Sequence, residues 1–175
     1  CSILGIDVLK TRDSDNAGND LVQRLKLAKE ATDHDFIYVH SKAPDEAAHK
    51  KDPMLKIKVI EELDRAFSYV LKEILPEENI LFILTSDHST ASTGNMIHSG
   101  ETVPLLMKGK YTRRDRVSSF DEVSCCTGCL GQMRGNEIMY MALNLMDRGK
   151  LAGLMDSPVD QPYSPGKYTT LRSDG

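Results

Sequence analysis

The apolar positions fall into short strand-like runs separated by stripes of helical period. Residues 36–39 (Phe-Ile-Tyr-Val) are β-branched and aromatic and predict a buried strand. Residues 80–84 (Ile-Leu-Phe-Ile-Leu) predict a second, and Val103 with Leu105, Leu106 and Met107 a third. Residues 1–9, interrupted by Gly5 and Asp7, are consistent with a further short strand running into the turn-rich stretch 11–19. Asn19 or Asp20 offers an N-cap for a helix to about Ala31, with Leu21, Leu25 and Ala28 on one face. Asp52 followed by Pro53 opens the clearest helix, in which Leu55, Val59, Leu63, Ala66 or Phe67, Val70 and Ile74 recur on one side until Pro76 stops it. Glu61, Glu62 and Asp64 within it are expected in solvent or in salt bridges. A last amphipathic helix is predicted over 136–147, with Ile138, Met141, Ala142 and Leu145 inward. Residues 108–116 are basic and polar and read as a solvated loop or edge. Residues 1–149 are expected to form one domain part, and the Pro-, Gly- and Ser-bearing residues 150–175 an irregular tail.

Strands alternating with helices predict an α/β architecture. Apolar runs without strict alternation predict strands covered on both faces, as in a mostly parallel sheet flanked by helices.

The chain of 175 residues with a net charge of −4 has no basic face for nucleic acid and no apolar run long enough to span a bilayer. Residues 1–9 lack the charged start and long apolar core of a signal peptide, so a cytoplasmic location is expected. Cys1, Cys125, Cys126 and Cys129 are the four cysteines. Cys126 and Cys129 form a C-x-x-C pair, but a structural zinc site takes about four ligands and no second such pair is present. They read as reduced thiols in a turn, in keeping with a reducing compartment.

The candidate chemistry sits at two predicted strand ends. After residues 36–39 comes H-S-K-A-P-D-E-A-A-H, carrying His40, Lys42, Asp45 and His49; after residues 80–84 comes T-S-D-H-S-T, carrying Asp87 and His88, with His98 in the following loop. Ligands of open α/β sheets bind at the carboxyl ends of strands. Asp45 and His49 are four apart and share a face if their segment is helical. Either short pattern alone is most often a capped strand end; both together, with a third histidine between strands, point to metal binding. Imidazole and carboxylate without thiolate suit zinc, manganese or iron, or magnesium where carboxylates and water dominate. Five ligands exceed the need of one open catalytic ion and fit part of a two-metal site, in which ions about 3.5–4 Å apart clamp the attacking and leaving oxygens of a displacement at phosphorus.

T-S-D-H-S-T, H-S-G-E-T-V-P-L-L-M, V-H-S-K-A-P-D-E-A-A-H, the capped helix containing I-E-E-L-D, and G-Q-M-R-G-N-E-I-M together resemble the C-terminal, phosphatase-like half of archaeal-type 2,3-bisphosphoglycerate-independent phosphoglycerate mutases. These belong to the alkaline phosphatase superfamily, and the similarity runs over about residues 5–146. The resemblance implies a three-layer alkaline-phosphatase-like domain and two divalent metal ions, manganese, or cobalt, zinc or magnesium. It implies that Asp45, His49 and His98 hold one ion and Asp87 and His88 the other, with His40 and Lys42 candidates for contact with phosphate or glycerate. The implied reaction interconverts 2- and 3-phosphoglycerate through a phosphoserine. In the family the nucleophilic serine, and an aspartate completing the second metal site, precede an inserted domain; Asp7 aligns after that insertion, and no residue of this chain matches either. The chain is therefore expected to be the C-terminal part of a mutase, inactive without the N-terminal part. Another phosphatase or phosphonate hydrolase of the superfamily, and a non-catalytic metal-binding module, are the alternatives.

Overall fold

The computed structural model describes residues 5–149, and the expected tail lies outside them. Two units divide the chain, Cys1–Gln132 and Met133–Gly175.

In the first unit the organising element is a long helix. α3 spans Pro53–Tyr69 and continues through a π-helical turn over Val70–Ile74. The Asp52 carboxylate caps it, accepting from the Met54 and Leu55 N–H groups at 3.0 and 3.1 Å, a contribution of about 1 kcal/mol. The Leu75 N–H reaches back to the Val70 carbonyl at 2.9 Å, and Pro76, which has no N–H to donate, follows. The inward stripe read from the sequence is the one buried: Ala66, Val70 and Ile74 join Leu21 and Leu25 of α1 (Ala17–Glu30) in the core. Leu63, Phe67, Val39, Ile80 and Phe82 pack on the rim of this cluster.

α1 begins earlier than its sequence predicts. Asn16, not Asn19 or Asp20, is its cap, the side chain accepting from the Asn19 N–H at 2.8 Å. Asp20 instead turns back to the preceding loop, where its carboxylate takes the Ser14 N–H and hydroxyl. Glu62 has the salt-bridge partner that was one of its two expected states, and it is buried as well. It is 6% exposed, and its carboxylate accepts from the Ala17 N–H at 3.0 Å, while Lys58 Nζ lies 3.9 Å away. The positive end of α1 supplies a donor and a favourable potential for a carboxylate, so this acid serves as a cross-helix cap as well as an ion-pair partner. Gly18 makes that approach possible: a Cβ on it would stand 2.2 Å from the Glu62 carbonyl oxygen.

Strand pairing also differs from expectation. Among the described residues the ladders are two antiparallel pairs, in place of the mostly parallel sheet the sequence predicts. β1 (Phe82–Thr85) pairs with β4 (Leu105–Lys108), Ile83 opposite Met107 and Leu84 opposite Leu106. β2 (Ser89–Thr90) pairs with β3 (His98–Ser99). The connection between β1 and β4 folds back on itself as β2 and β3, with no helix to cross over, so antiparallel pairing results. Residues 36–39 form no strand, and Phe36, Ile37 and Tyr38 are exposed. Their apolarity is strand-like, but a strand exists only where a neighbour takes its N–H and C=O groups, and none runs beside them among the described residues. Residues 5–9 are likewise unpaired, with Ile6, Val8 and Leu9 exposed. The loop expected at 108–116 is largely exposed beyond Lys108. A short helix α4 (Glu122–Cys125), capped by Asp121, carries the free thiol Cys125; Cys126 and Cys129 follow it and are also free.

In the second unit a single 3-10 turn (Gly135–Glu137) leads into α5 (Ile138–Leu145). Ala142 is buried and Ile138, Met141 and Leu145 half-buried, the face read from the sequence.

Candidate metal centre

α2 (Ala43–His49) carries the first pair of candidate ligands. Ala47 and Ala48 are buried and α2 packs on α3. Asp45 and His49, one turn apart, stand together with Nε2 of His49 3.2 Å from Oδ1 of Asp45. The second pair follows the end of β1. Asp87 accepts the His88 N–H at 3.0 Å through Oδ1, and its Oδ2 lies 3.5 Å from Nε2 of His88.

The small β2–β3 ladder brings the third segment in. Thr90 and His98 are directly opposed, which places their side chains beside one another on one face. The Thr90 hydroxyl donates to Oδ1 of Asp45 at 2.8 Å and lies 3.1 Å from Nδ1 of His88 and 3.2 Å from Nδ1 of His98. The His98 ring meets those of His88 and His49 edge to face, with centroids 4.2 and 5.2 Å apart. Asp45, His88 and His98 each offer a ligand atom, all within 4.8 Å of one another. This trio draws on both of the ligand sets implied by the sequence resemblance, with His49 beside Asp45 and Asp87 beside His88.

Two lysines hold the loop that carries His98. Lys51, with φ of 56°, extends Nζ to the carbonyls of Ala91 and Met96 at 2.8 and 2.5 Å. Lys56 reaches the Thr90 carbonyl at 2.6 Å. Neither lysine, nor Thr90, is a residue type that signals a metal, and sequence reasoning passed over all three. Thr90 had one legible sign, since it stands two residues beyond His88, the spacing that returns a strand to the same face.

Electrostatics favour a charged carboxylate at the centre. Partial burial pushes the Asp45 carboxyl up, but the Thr90 hydrogen bond and the charges of His49, His88 and His98 outweigh it and hold the group below its ordinary range. One ionised carboxylate with imidazoles from three segments is a donor set suited to a divalent transition ion.

His40 and Lys42 are not in this trio. His40 is exposed and stacks on Tyr38 at 6.0 Å, and its carbonyl accepts from Nη1 of Arg24 at 2.9 Å. Lys42 is exposed at the position before α2, where its side chain caps nothing. No helix among the described residues is long and apolar enough to cross a membrane.

Known proteins share this arrangement of sequence. The chain is 44% identical over 162 residues to 2,3-bisphosphoglycerate-independent phosphoglycerate mutase 2 of Methanocaldococcus jannaschii, covering 93% of this chain and 35% of that protein. It is 36% identical over 152 residues to the 2,3-bisphosphoglycerate-independent phosphoglycerate mutase of Thermococcus kodakarensis, covering 86% of this chain and 36% of that protein. The solved structure of the PH0037 protein from Pyrococcus horikoshii superposes with a TM-score of 0.66 at 36% identity, over 79% of this chain and 34% of that one. The chain thus spans about a third of the length of the curated relatives it matches. The model of the metalloenzyme superfamily matches residues 5–145. With helices and strands mixed around a cluster of histidine and aspartate, and a family match over most of its length, the chain belongs to the metalloenzyme superfamily.

Proposed function

We propose that this chain supplies the metal-binding part of a cytoplasmic 2,3-bisphosphoglycerate-independent phosphoglycerate mutase, with an alkaline-phosphatase-like fold. The observation that carries the reading is the convergence of Asp45, His88 and His98 around Thr90, in a chain similar over 93% of its length to a protein of that name. Asp45, His49 and His98 would hold one divalent ion, and Asp87 and His88 would contribute to a second. Manganese is the first candidate, with cobalt, zinc or magnesium as substitutes. Bound divalent ions supply Lewis-acid stabilisation of phosphoryl oxygens and lower the pKa of a coordinated hydroxyl.

The chain's own residues supply the frame. Asp45 brings negative charge to the cation, and the imidazoles bring neutral donors that leave net positive charge for a phosphate ester. Lys51 and Lys56 keep the His98 loop against α2 and α3. His40 and Lys42, on the approach to α2, are the residues we assign to phosphate or glycerate. The nucleophilic serine is assigned to the remaining two thirds of the protein, by analogy with the length of the relatives. The parallel sheet expected from the sequence would form between that part and this chain, with residues 36–39 as one of its strands. Their exposed Phe36, Ile37 and Tyr38 fit that role.

The reaction separates this reading from a phosphatase. The full gene product, given 3-phosphoglycerate and followed by phosphorus NMR, is expected to yield 2-phosphoglycerate without accumulation of free phosphate. Free phosphate without 2-phosphoglycerate would contradict the mutase assignment.

A further inference from the structure

We propose that Thr90 is the positioning residue of this centre, its hydroxyl orienting the Asp45 carboxylate and fixing His88 and His98 in the Nδ1–H form, so that Nε2 of each ring faces the cation. The inference rests on the metal reading above for its purpose, but its physical content is a hydrogen-bond count.

A threonine hydroxyl has one proton and two acceptor lone pairs. Its proton goes to Oδ1 of Asp45, 2.8 Å away, because an ionised carboxylate accepts and cannot donate. Nδ1 of His88 and Nδ1 of His98 lie 3.1 and 3.2 Å from the same oxygen. With the hydroxyl proton committed, each contact is a hydrogen bond only if the ring nitrogen carries the proton. The other arrangement sets an imidazole lone pair against a hydroxyl lone pair, with nothing between them. Thr90 is 5% exposed, so water cannot readily replace its hydroxyl. Both rings therefore carry hydrogen on Nδ1 when neutral, which leaves Nε2 as the unprotonated donor.

The one competing contact, Oδ2 of Asp87 to Nε2 of His88, is longer at 3.5 Å than the 3.1 Å from Thr90 to Nδ1. Thr90 is also fixed from its backbone, opposite His98 in the ladder and with its carbonyl held by Lys56. A hydroxyl so placed acts as the outer partner that sets tautomer and ring orientation in metal-binding histidines.

The test uses the full gene product, labelled with nitrogen-15 at histidine and freed of metal, with His88→Gln and His98→Gln to assign the signals. Long-range proton–nitrogen correlation is expected to show His88 and His98 protonated at Nδ1 in the wild type. Thr90→Val, which removes the hydroxyl at nearly constant shape, is expected to shift both rings toward the Nε2–H form. It should also weaken manganese binding by roughly 10- to 100-fold in calorimetry, and Thr90→Ser should restore both properties. Protonation at Nε2 in the wild type would overturn the inference without need of any variant. Unchanged tautomers in a folded Thr90→Val protein would overturn it as well. Nδ1 protonation in a wild type that binds no divalent ion would support the hydrogen-bond assignment and overturn the metal reading.

Discussion

Asp45→Asn is expected to lower the affinity for manganese by at least about a hundredfold, since loss of an outer partner alone costs roughly 10- to 100-fold and Asp45 is assigned to the cation itself. The substitution keeps shape and removes charge. In the trio of Asp45, His88 and His98 the carboxylate is the one anionic donor, and its surroundings hold it ionised below the ordinary carboxylate range. An amide oxygen can still accept from Thr90, so the variant tests the charge and not the hydrogen bond. Titration calorimetry on the metal-free gene product checks the affinity, with a thermal melt to show that the variant remains folded. Wild-type affinity in a folded Asp45→Asn protein would remove Asp45 from the ligand set.

The largest effect on stability is expected at Gly18. Alanine normally favours a helix over glycine by about 0.8–1 kcal/mol, so a helix judged alone predicts that Gly18→Ala stabilises. The packing predicts the reverse. The added Cβ would meet the Glu62 carbonyl oxygen at 2.2 Å and its carbon at 2.9 Å, and neither is a side-chain end that can turn away. α1 must move off α3, which loosens the Ala17–Glu62 hydrogen bond and opens the cluster of Leu21, Leu25, Ala66 and Val70. Overpacking of this kind costs about 1–3 kcal/mol, and the buried Glu62 carboxylate left short of a donor adds to it. A lower denaturation midpoint with an unchanged slope is the expected result. An equal or higher midpoint would show that the helices separate at little cost.

The contrast between Gly18 and α3 shows what a sequence displays and what it conceals. α3 is legible because its evidence is local: Asp52 and Pro53 at the start, a stripe of period 3.6, and Pro76 after the end. Asp45 and His49 are legible as a pair for the same reason, since one helical turn brings them together. The ion pair of Glu62 with Lys58 falls within what its sequence suggests, but its burial was not legible, because what buries it is the N-terminus of another helix. Residues 36–39 are unpaired among the described residues, because apolar β-branched sequence reports a tendency, whereas a strand needs a partner. Thr90 was missed because its role depends on three side chains from three segments meeting at one oxygen. The resemblance of motifs identified the candidate ligands, but not the hydroxyl that orients three of them.

The claim that divalent ions sit among these five residues is tested most directly by anomalous diffraction from crystals of the full gene product soaked in manganese. One anomalous peak bounded by Asp45, His49 and His98 is expected, and a second beside Asp87 and His88. Manganese bound elsewhere, with these five side chains uncoordinated in the same ordered crystal, would contradict it.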